Sequence, residues 1–159
     1  MTATDETRPT RLLLGIETSC DETAAAVVED GVRVRSSVVS TQHELHEEYG
    51  GVVPEIASRA HLERILPVVR RAIADAGIRL EDLDAVAVGH RPGLIGALLV
   101  GTSAAKGLAL ALDIPLAGVD HVHAHLVAGM LEREPPALPA LGLVASGGHS
   151  SIYLVEDPI

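Results

Sequence analysis

The sequence predicts an α/β lobe in which a mixed β-sheet starts with three antiparallel strands and carries helices on both faces. Three observations predict this class. The apolar residues fall into short runs of strand length, two longer stretches have the helical period, and strand and helix alternate after the third strand. Apolar residues make up 47% and charged residues 21% of the 159 residues, which is the composition of a folded domain.

The first part of the chain predicts three consecutive strands. Residues 11–17 and 24–30 are apolar runs, and residues 32–40 alternate apolar and polar side chains. Asp30-Gly31, between the second and third runs, is typical of a hairpin turn. Three neighbouring strands joined by short turns form an antiparallel start to the sheet.

The rest of the chain alternates between the two kinds of element. Helices are predicted from 54 or 58 to 77, over 94–112 and over 121–132, and strands over 83–89, 115–120, 141–146 and 150–156. Pro67 lies inside the first helix, where it predicts a kink or a break. We expect residues 41–55 to form a loop, residues 1–10 to be a disordered leader and residues 11–159 to be one lobe. We find no internal repeat.

The segment 94–112 is long and apolar enough to suggest a membrane span. Lys106 in its middle, its glycines and the short strands on both sides favour a helix packed on a sheet instead. The polar N-terminus has no apolar stretch of the kind found in a signal peptide. We therefore expect a soluble, cytoplasmic protein with no membrane partner.

Composition excludes several classes of function. The chain has 12 Lys and Arg against 22 Asp and Glu, a net charge of −10, which argues against a free-standing, nonspecific nucleic-acid binder. Two Tyr with no Phe or Trp exclude an aromatic platform for stacking bases. A single Cys excludes both a disulfide framework and a zinc site made only of cysteines.

The strongest local motif is Asp120-His121-Val122-His123-Ala124-His125. His121 and His125 are four positions apart on a predicted helix, so their side chains share one face and could chelate a divalent metal. His123 points away, and Asp120 is placed to cap the helix or to orient a ring. The alternative is three histidines on a partly exposed helix with no metal. Val122 stands where a zinc peptidase of the HExxH type has the glutamate that acts as general base. The motif therefore argues against a metallopeptidase.

Two polar loops are further candidates. In Ser146-Gly147-Gly148-His149 the paired glycines allow backbone N–H groups to approach an anion, although a tight hairpin turn explains the pattern as well. Residues 18–23, Thr-Ser-Cys-Asp-Glu-Thr, could hold a phosphate-bound Mg²⁺ or be a solvated turn. Residues 96–103 resemble a phosphate-binding loop but have no lysine after Gly101, and no dinucleotide-binding glycine motif is present.

Five motifs in order resemble one family. They are GIETSCDETAAAV (15–27), YGGVVPEIASRAH (49–61), PGLIGALLVG (92–101), HVHAH (121–125) and SGGH (146–149). Together they resemble the tRNA N6-adenosine threonylcarbamoyltransferases, formerly called O-sialoglycoprotein endopeptidases. The resemblance implies an actin-like fold of two lobes, related to ribonuclease H, of which this chain holds the N-terminal one.

The resemblance also implies an activity. The threonylcarbamoyl group of threonylcarbamoyl-adenylate would be transferred to N6 of the adenosine next to the anticodon, in tRNAs that read codons beginning with A. It implies one divalent metal between the lobes, Fe²⁺ first and Zn²⁺ or Mg²⁺ as alternatives. It implies tRNA, TsaB-like proteins and TsaE-like proteins as partners, and the open half-cleft suggests self-association into a homo-oligomer.

The same resemblance implies the site residues. His121 and His125 match the two histidine metal ligands, and Asp21 matches an acidic catalytic residue. The substrate-contacting segment is matched by Val144, Ala145, Ser146, Gly147 and Gly148. Because a second lobe would supply the remaining ligand and nucleotide contacts, we expect this half to be inactive alone.

One departure from the family and three alternatives complete the sequence-based picture. Arg91 stands where the family usually has glycine, which puts the local turn in doubt. A non-catalytic TsaB-like scaffold would lack the pair formed by His121 and His125. A metalloprotease would need the missing glutamate, and a sugar or acetate kinase would not have the motifs around the histidines and Gly147-Gly148.

Overall fold

The computed structural model describes residues 10–132, 134–145 and 150–157. A five-stranded mixed sheet has the order β3-β2-β1-β4-β5, and β6 and β7 form a separate two-stranded hairpin. The strands are β1 (Leu12–Glu17), β2 (Glu22–Glu29), β3 (Arg33–Thr41), β4 (Ala85–Arg91), β5 (Leu116–Asp120), β6 (Ala140–Ala145) and β7 (Ser150–Val155). The α-helices are α1 (His43–His46), α2 (Pro54–Ala76), α3 (Ile95–Leu112) and α4 (His121–Val127).

The predicted antiparallel start and the parallel continuation are both confirmed. Strand β2 is antiparallel to β1 and to β3, whereas β4 is parallel to β1 and β5 is parallel to β4. Asp30 and Gly31 have φ values of 52° and 76°, the left-handed conformation that a tight hairpin turn requires. The mixed α/β sheet therefore follows from the local patterns of the chain.

The core lies between one face of the sheet and the two long helices. Leu14, Val27 and Val86 are fully buried on adjacent strands, and α2 and α3 pack over them and against each other. Small residues at the helix contacts allow this close approach: a Cβ on Gly101 would collide with Oγ1 of Thr18, and one on Gly96 would collide with Oγ of Ser58. Helix α3 is long and apolar enough to cross a membrane by length and composition, but here it packs on the sheet, as the sequence predicted.

The opposite face of the sheet is lined by small side chains. Gly15, Ala26 and Ala87 lie next to each other across three strands and line a cavity of about 320 Å³. His121 and His125 of α4 border the same cavity. Helices thus lie on both sides of the sheet, as expected, but the two long ones share one side and the short α4 stands alone on the other within the described residues.

Three details of the sequence-based prediction are wrong. The predicted break at Pro67 does not occur, because α2 is continuous from Pro54 to Ala76. The proline is exposed, and the carbonyl that loses its hydrogen-bond partner belongs to the exposed residue Glu63. The predicted loop 41–55 contains α1 and a 3₁₀ turn over Glu47–Tyr49, which are too short to show a period. The last predicted helix ends at Val127 and tightens into a 3₁₀ turn over Ala128–Leu131.

The hairpin β6–β7 is built like the hairpin β1–β2, and we call it the repeated hairpin. Residues 14–29 and 141–156 have the same length and share Leu, Gly, Ser, Val and Glu at equivalent positions. Both are paired in the same register, since Gly15 faces Ala26 and Gly142 faces Tyr153. The other positions differ, so the similarity of the two hairpins is not evident from the sequence.

Candidate functional site

The carboxyl ends of three parallel strands bring the candidate residues together. Strand β1 ends at Glu17, β4 at Arg91 and β5 at Asp120, directly before His121. Parallel strands that end at one edge leave a crevice there, which is where α/β sheets place ligands. The predicted metal-binding helix therefore starts at the edge of the sheet where a site is expected.

His121 and His125 face each other. Their Nε2 atoms are 3.1 Å apart, and the ring centroids are 4.5 Å apart with an interplanar angle of 89°. Two nitrogens that bind one ion at about 2.0–2.1 Å, with an angle of about 90–110° at the ion, lie about 2.8–3.4 Å apart. The pair therefore has the spacing of two imidazole ligands of one metal, and the predicted pairing of these residues agrees with the structure.

Two imidazoles do not complete a coordination shell. Among residues 10–132, 134–145 and 150–157, no group of three or more His, Cys, Asp and Glu side chains is arranged to hold a metal ion. The donor set is nitrogen only, which suits iron or zinc better than magnesium, an ion that prefers oxygen ligands. A metal held here would take its remaining ligands from water, from substrate or from another part of the protein.

Glu17 and Ser19 contact the other nitrogen of His121. Oε2 of Glu17 is 3.3 Å and Oγ of Ser19 is 3.1 Å from Nδ1. The second carboxylate oxygen of Glu17 accepts a hydrogen bond from the backbone N–H of Ser19. Sequence analysis assigned no role to Glu17 and treated Ser19 only as part of the polar loop 18–23. Glu17 is the last residue of β1, which is parallel to β4, so it lies at the same edge of the sheet as the histidines.

Asp120 has the capping role that the sequence predicted. Its Oδ1 accepts hydrogen bonds from the backbone N–H groups of Val122 at 2.9 Å and His123 at 3.1 Å. These hydrogen bonds, the one from His123 first, lower the pKa of the Asp120 carboxyl. The guanidinium of Arg91 lies 3.4 Å from the same carboxylate, so Asp120 is committed to the helix start rather than to a histidine ring.

The loop between β1 and β2 is anchored on two helices. The hydroxyl of Thr18, which is fully buried, donates to the carbonyl of Ala97 in α3 at 2.8 Å, and the carbonyl of Ser19 accepts from the N–H of Leu94 at 2.8 Å. The carbonyl of Asp21 accepts from the N–H of Gln42 at 3.0 Å. This loop is therefore a packed part of the lobe and not the solvated turn that the sequence left open as an alternative.

His61 holds the same loop from helix α2. Its side chain is fully buried, and its Nε2 lies 3.1 Å from the carbonyl oxygen of Cys20, so Nε2 donates. Its Nδ1 must then accept, and the hydroxyl of Thr23 donates to it at 2.8 Å. Burial lowers the pKa of His61, which favours its neutral form. Sequence reasoning missed this residue because a histidine within a helical pattern carries no mark of the loop it will contact.

Asp21 lies in this loop, within an acidic cluster. The pKa of Glu22 is raised, first by burial and then by the charges of Asp21 and Glu17. Burial, together with a hydrogen bond to Asp21, raises the pKa of the Cys20 thiol to about 11, so this thiol is not an activated nucleophile. The structure thus places the expected catalytic carboxylate beside Cys20, in the loop that also carries Ser19.

The expected substrate-contacting segment is described in part. Val144 and Ala145 end strand β6, with Val144 half-buried and Ala145 exposed. Ser146, Gly147 and Gly148 lie outside the described residues. A second cavity, lined by Arg91, His123 and Tyr153 among others, lies between α4 and the β6–β7 hairpin, on the side of α4 away from the histidine pair.

Comparisons with known proteins give the family. The family model for TsaD, tRNA N6-adenosine threonylcarbamoyltransferase, matches residues 33–158. A tRNA N6-adenosine threonylcarbamoyltransferase of Trichlorobacter lovleyi is 63% identical over 145 residues, and one of Anaeromyxobacter dehalogenans is 62% identical over 141 residues. The matches cover 91% and 89% of this chain but 42% of each relative, so the chain spans about two fifths of their length.

A solved structure supports the actin-like fold. YeaZ from Pseudomonas aeruginosa superposes with a TM-score of 0.62 at 24% sequence identity, over 93% of this chain and 61% of that one. At this sequence identity the likeness supports the fold class alone.

Proposed function

This chain belongs to the tRNA N6-adenosine threonylcarbamoyltransferase family, and from that premise we propose that it is the N-terminal lobe of an acyltransferase acting on tRNA. The complete enzyme transfers the threonylcarbamoyl group from threonylcarbamoyl-adenylate to N6 of the adenosine next to the anticodon, in tRNAs that read codons beginning with A. The observation that carries the proposal is the pair of imidazoles, 3.1 Å apart, at the edge of the sheet.

In this proposal His121 and His125 hold one divalent metal through their Nε2 atoms. The all-nitrogen donor set suits Fe²⁺ or Zn²⁺ better than Mg²⁺, and we place Fe²⁺ first because of the family resemblance. When bound, such an ion acts as a Lewis acid for phosphate or carbamoyl oxygens. The chain's own histidines contribute position: helix α4, capped by Asp120, presents both rings from the same face.

Asp21 is proposed as the group that takes the proton from N6 of the acceptor adenosine. Hydrogen bonds from the loop to α2, to α3 and to Gln42 hold its backbone in place, as a base with a defined position requires. Val144 to Gly148 are proposed to contact the adenylate through backbone groups at the end of β6. Asp21 follows β1, and Val144 and Ala145 are the last residues of β6, which pairs with β7 in the register in which β1 pairs with β2.

A second lobe is proposed to cover the repeated hairpin. Leu141, Leu143, Ile152 and Leu154 share one face and are 63–76% exposed, whereas their equivalents in the first hairpin are at most 3% exposed beneath α2 and α3. Covering a large apolar side chain contributes about 1.5–3 kcal/mol each. The missing cover corresponds to the three fifths of the relatives' length that this chain does not span. The cleft, and with it activity, is complete only when both lobes are present.

Protein partners are proposed for the outer surface of the two long helices. Leu62 and Leu66 on α2 and Ile95 and Leu99 on α3 are each more than half exposed, on helices that touch at Ser58 and Gly96. We assign this surface to a TsaB-like protein, with self-association of the lobe as the competing outcome. With a net charge of −10, the chain also needs help to hold tRNA, which we assign to such partners and to a TsaE-like protein, in the cytoplasm.

The experiment combines metal binding with transfer. Fe²⁺ under anaerobic conditions, Zn²⁺ and Mg²⁺ are titrated into the chain and into three variants, His121→Ala, His125→Ala and His123→Ala. We expect the first two variants to lose specific uptake and the third, whose ring lies on the other side of the helix, to keep it. Equal loss in all three would overturn the assignment of the metal ligands.

Transfer is then measured with the missing lobe restored. Residues 1–157 are joined to the remaining part of the Trichlorobacter lovleyi relative, and incorporation of labelled threonine into tRNA is followed with partner proteins present. We expect transfer by the fusion and none by the chain alone. In the fusion, Asp21→Asn should abolish transfer while the free energy of unfolding stays the same; unchanged transfer would remove Asp21 from the mechanism.

A further inference from the structure

Glu17 lies directly behind the proposed metal-binding histidine pair, and no sequence motif gave it a role there. Its carboxylate oxygen Oε2 is 3.3 Å from Nδ1 of His121, and the Nε2 of the same ring faces His125. We propose that Glu17 is a positioning residue for His121, and that Gly89 is the residue that leaves room for it. This inference rests on the proposed function only in taking His121 as a metal ligand.

The chemistry of a neutral imidazole explains the role. The ring carries one N–H, and whichever nitrogen holds that hydrogen cannot bind a metal. A carboxylate only accepts hydrogen bonds, so Glu17 holds the hydrogen on Nδ1 and leaves the lone pair of Nε2 directed at His125. Ser19, with its hydroxyl oxygen 3.1 Å from Nδ1, accepts from the same N–H.

Gly89 shapes the place where the carboxylate lies. A Cβ on Gly89 would collide with Oε2 of Glu17 and lie 3.2 Å from its Cδ. Gly89 is a buried residue of β4, beside a register shift in the pairing of β4 with β5. Its φ is not among the positive values, so its backbone does not require glycine. The space that glycine leaves is filled by the Glu17 carboxylate, whose other oxygen is bonded to the N–H of Ser19.

Two independent changes test the proposal. Glu17→Ala removes the carboxylate, and Gly89→Ala displaces it without altering its chemistry. Gly15→Ala is the matched control: it adds the same methyl group to the neighbouring strand on the same face, where its nearest contact would be an ordinary 3.9 Å from the carbonyl of Ala26. Thermal unfolding of each variant reports whether the fold is kept, and Glu17→Gln provides a milder change of the same group.

The first readout is Zn²⁺ affinity by calorimetry. We expect Glu17→Ala and Gly89→Ala each to weaken binding about 10- to 100-fold, as loss of a carboxylate behind a ligating histidine does, and Gly15→Ala to leave it within about twofold. The double variant Glu17→Ala/Gly89→Ala should bind no more weakly than Glu17→Ala, because glycine acts only through the carboxylate. The proposal would be overturned if the losses of Zn²⁺ affinity in the two single variants added fully in the double variant. It would also be overturned if neither single variant changed the Zn²⁺ affinity.

The second readout needs no metal. Nitrogen-15 NMR of the metal-free chain reports which nitrogen of His121 carries the hydrogen, and we expect Nδ1 in the wild type and a mixture in Glu17→Ala. If the wild type binds no Zn²⁺ through its histidine pair, the proposed metal site fails, and the NMR result still decides the role of Glu17. If His121 keeps its hydrogen on Nδ1 without Glu17, Ser19 alone suffices and the proposal is wrong.

Discussion

Replacing Thr23 with valine isolates one buried hydrogen bond at the β1–β2 loop. The hydroxyl of Thr23 is fully buried and donates to Nδ1 of His61, whose Nε2 is already committed to the carbonyl of Cys20. Valine has nearly the same shape and no donor, so Nδ1 would be left buried without a partner. Leaving such an acceptor unsatisfied costs about 1–3 kcal/mol, which is the expected loss in the free energy of unfolding at pH 8.

The assay is urea unfolding followed by far-ultraviolet circular dichroism. Thr102→Val is the control, because the hydroxyl of Thr102 bonds only to carbonyls of its own helix, Leu98 and Leu99, and its loss should cost under about 0.5 kcal/mol. A loss for Thr23→Val no larger than that of the control would refute the view that this bond holds the loop.

The pH dependence of the same measurement follows from His61. Its pKa is lowered by burial in the folded state, so the unfolded chain takes up the proton first as the pH falls. Its contribution to stability is therefore complete above about pH 7 and declines below about pH 6.5, with a limiting slope of about 1.4 kcal/mol per pH unit. His61→Gln should flatten the curve in that range, and an unchanged curve would place the titration elsewhere.

Two further predictions concern the long helices. Gly101→Ala should lower the free energy of unfolding by about 1–3 kcal/mol, because the added Cβ would collide with the buried side chain of Thr18 in the β1–β2 loop. Gly107→Ala, in open space on the same helix, should raise the free energy of unfolding by about 0.5–1 kcal/mol. Equal effects of the two changes in urea unfolding would contradict this packing. The double variant Leu62→Lys/Leu99→Lys should abolish binding of a TsaB-like protein, measured by light scattering after size-exclusion chromatography. Leu110→Lys, a change at another exposed leucine, should leave binding intact. Loss of binding in all variants would show that the partner does not bind specifically to the outer surface of α2 and α3.

The sequence predicted the elements of the fold because their causes are local. Asp30-Gly31 defines a hairpin and the runs around it define strands, so the antiparallel start needed no tertiary information. The break predicted at Pro67 was wrong because its cause is not local. Whether a helix can continue through a proline depends on the solvent exposure of that side of α2, which the fold decides. The helical periodicity of the sequence does not show which backbone carbonyl groups are accessible to water.

The same distinction applies to the candidate site. His121 and His125 could be paired from their spacing alone, because four positions on a helix determine a shared face. Glu17 could not, since its contact with His121 joins residues more than a hundred positions apart. Asp21 came from family resemblance, and the structure adds the reason that its loop can be a defined part of a site: His61 and Thr18 anchor it on two helices.

The repeated hairpin has a consequence for how the protein is made. Strands β6 and β7 are neighbours in the sequence, and their paired residues lie between Ala145↔Ser150 and Ala140↔Val155. The hairpin can therefore close within about 10 microseconds once it leaves the ribosome. At about 5–20 residues per second, the second lobe proposed above, if of a size comparable to this one, would take several seconds or more to follow. During that interval four large apolar side chains face water, and the nascent enzyme should depend on a chaperone at this hairpin more than at β1–β2, which α2 covers with residues that follow soon after.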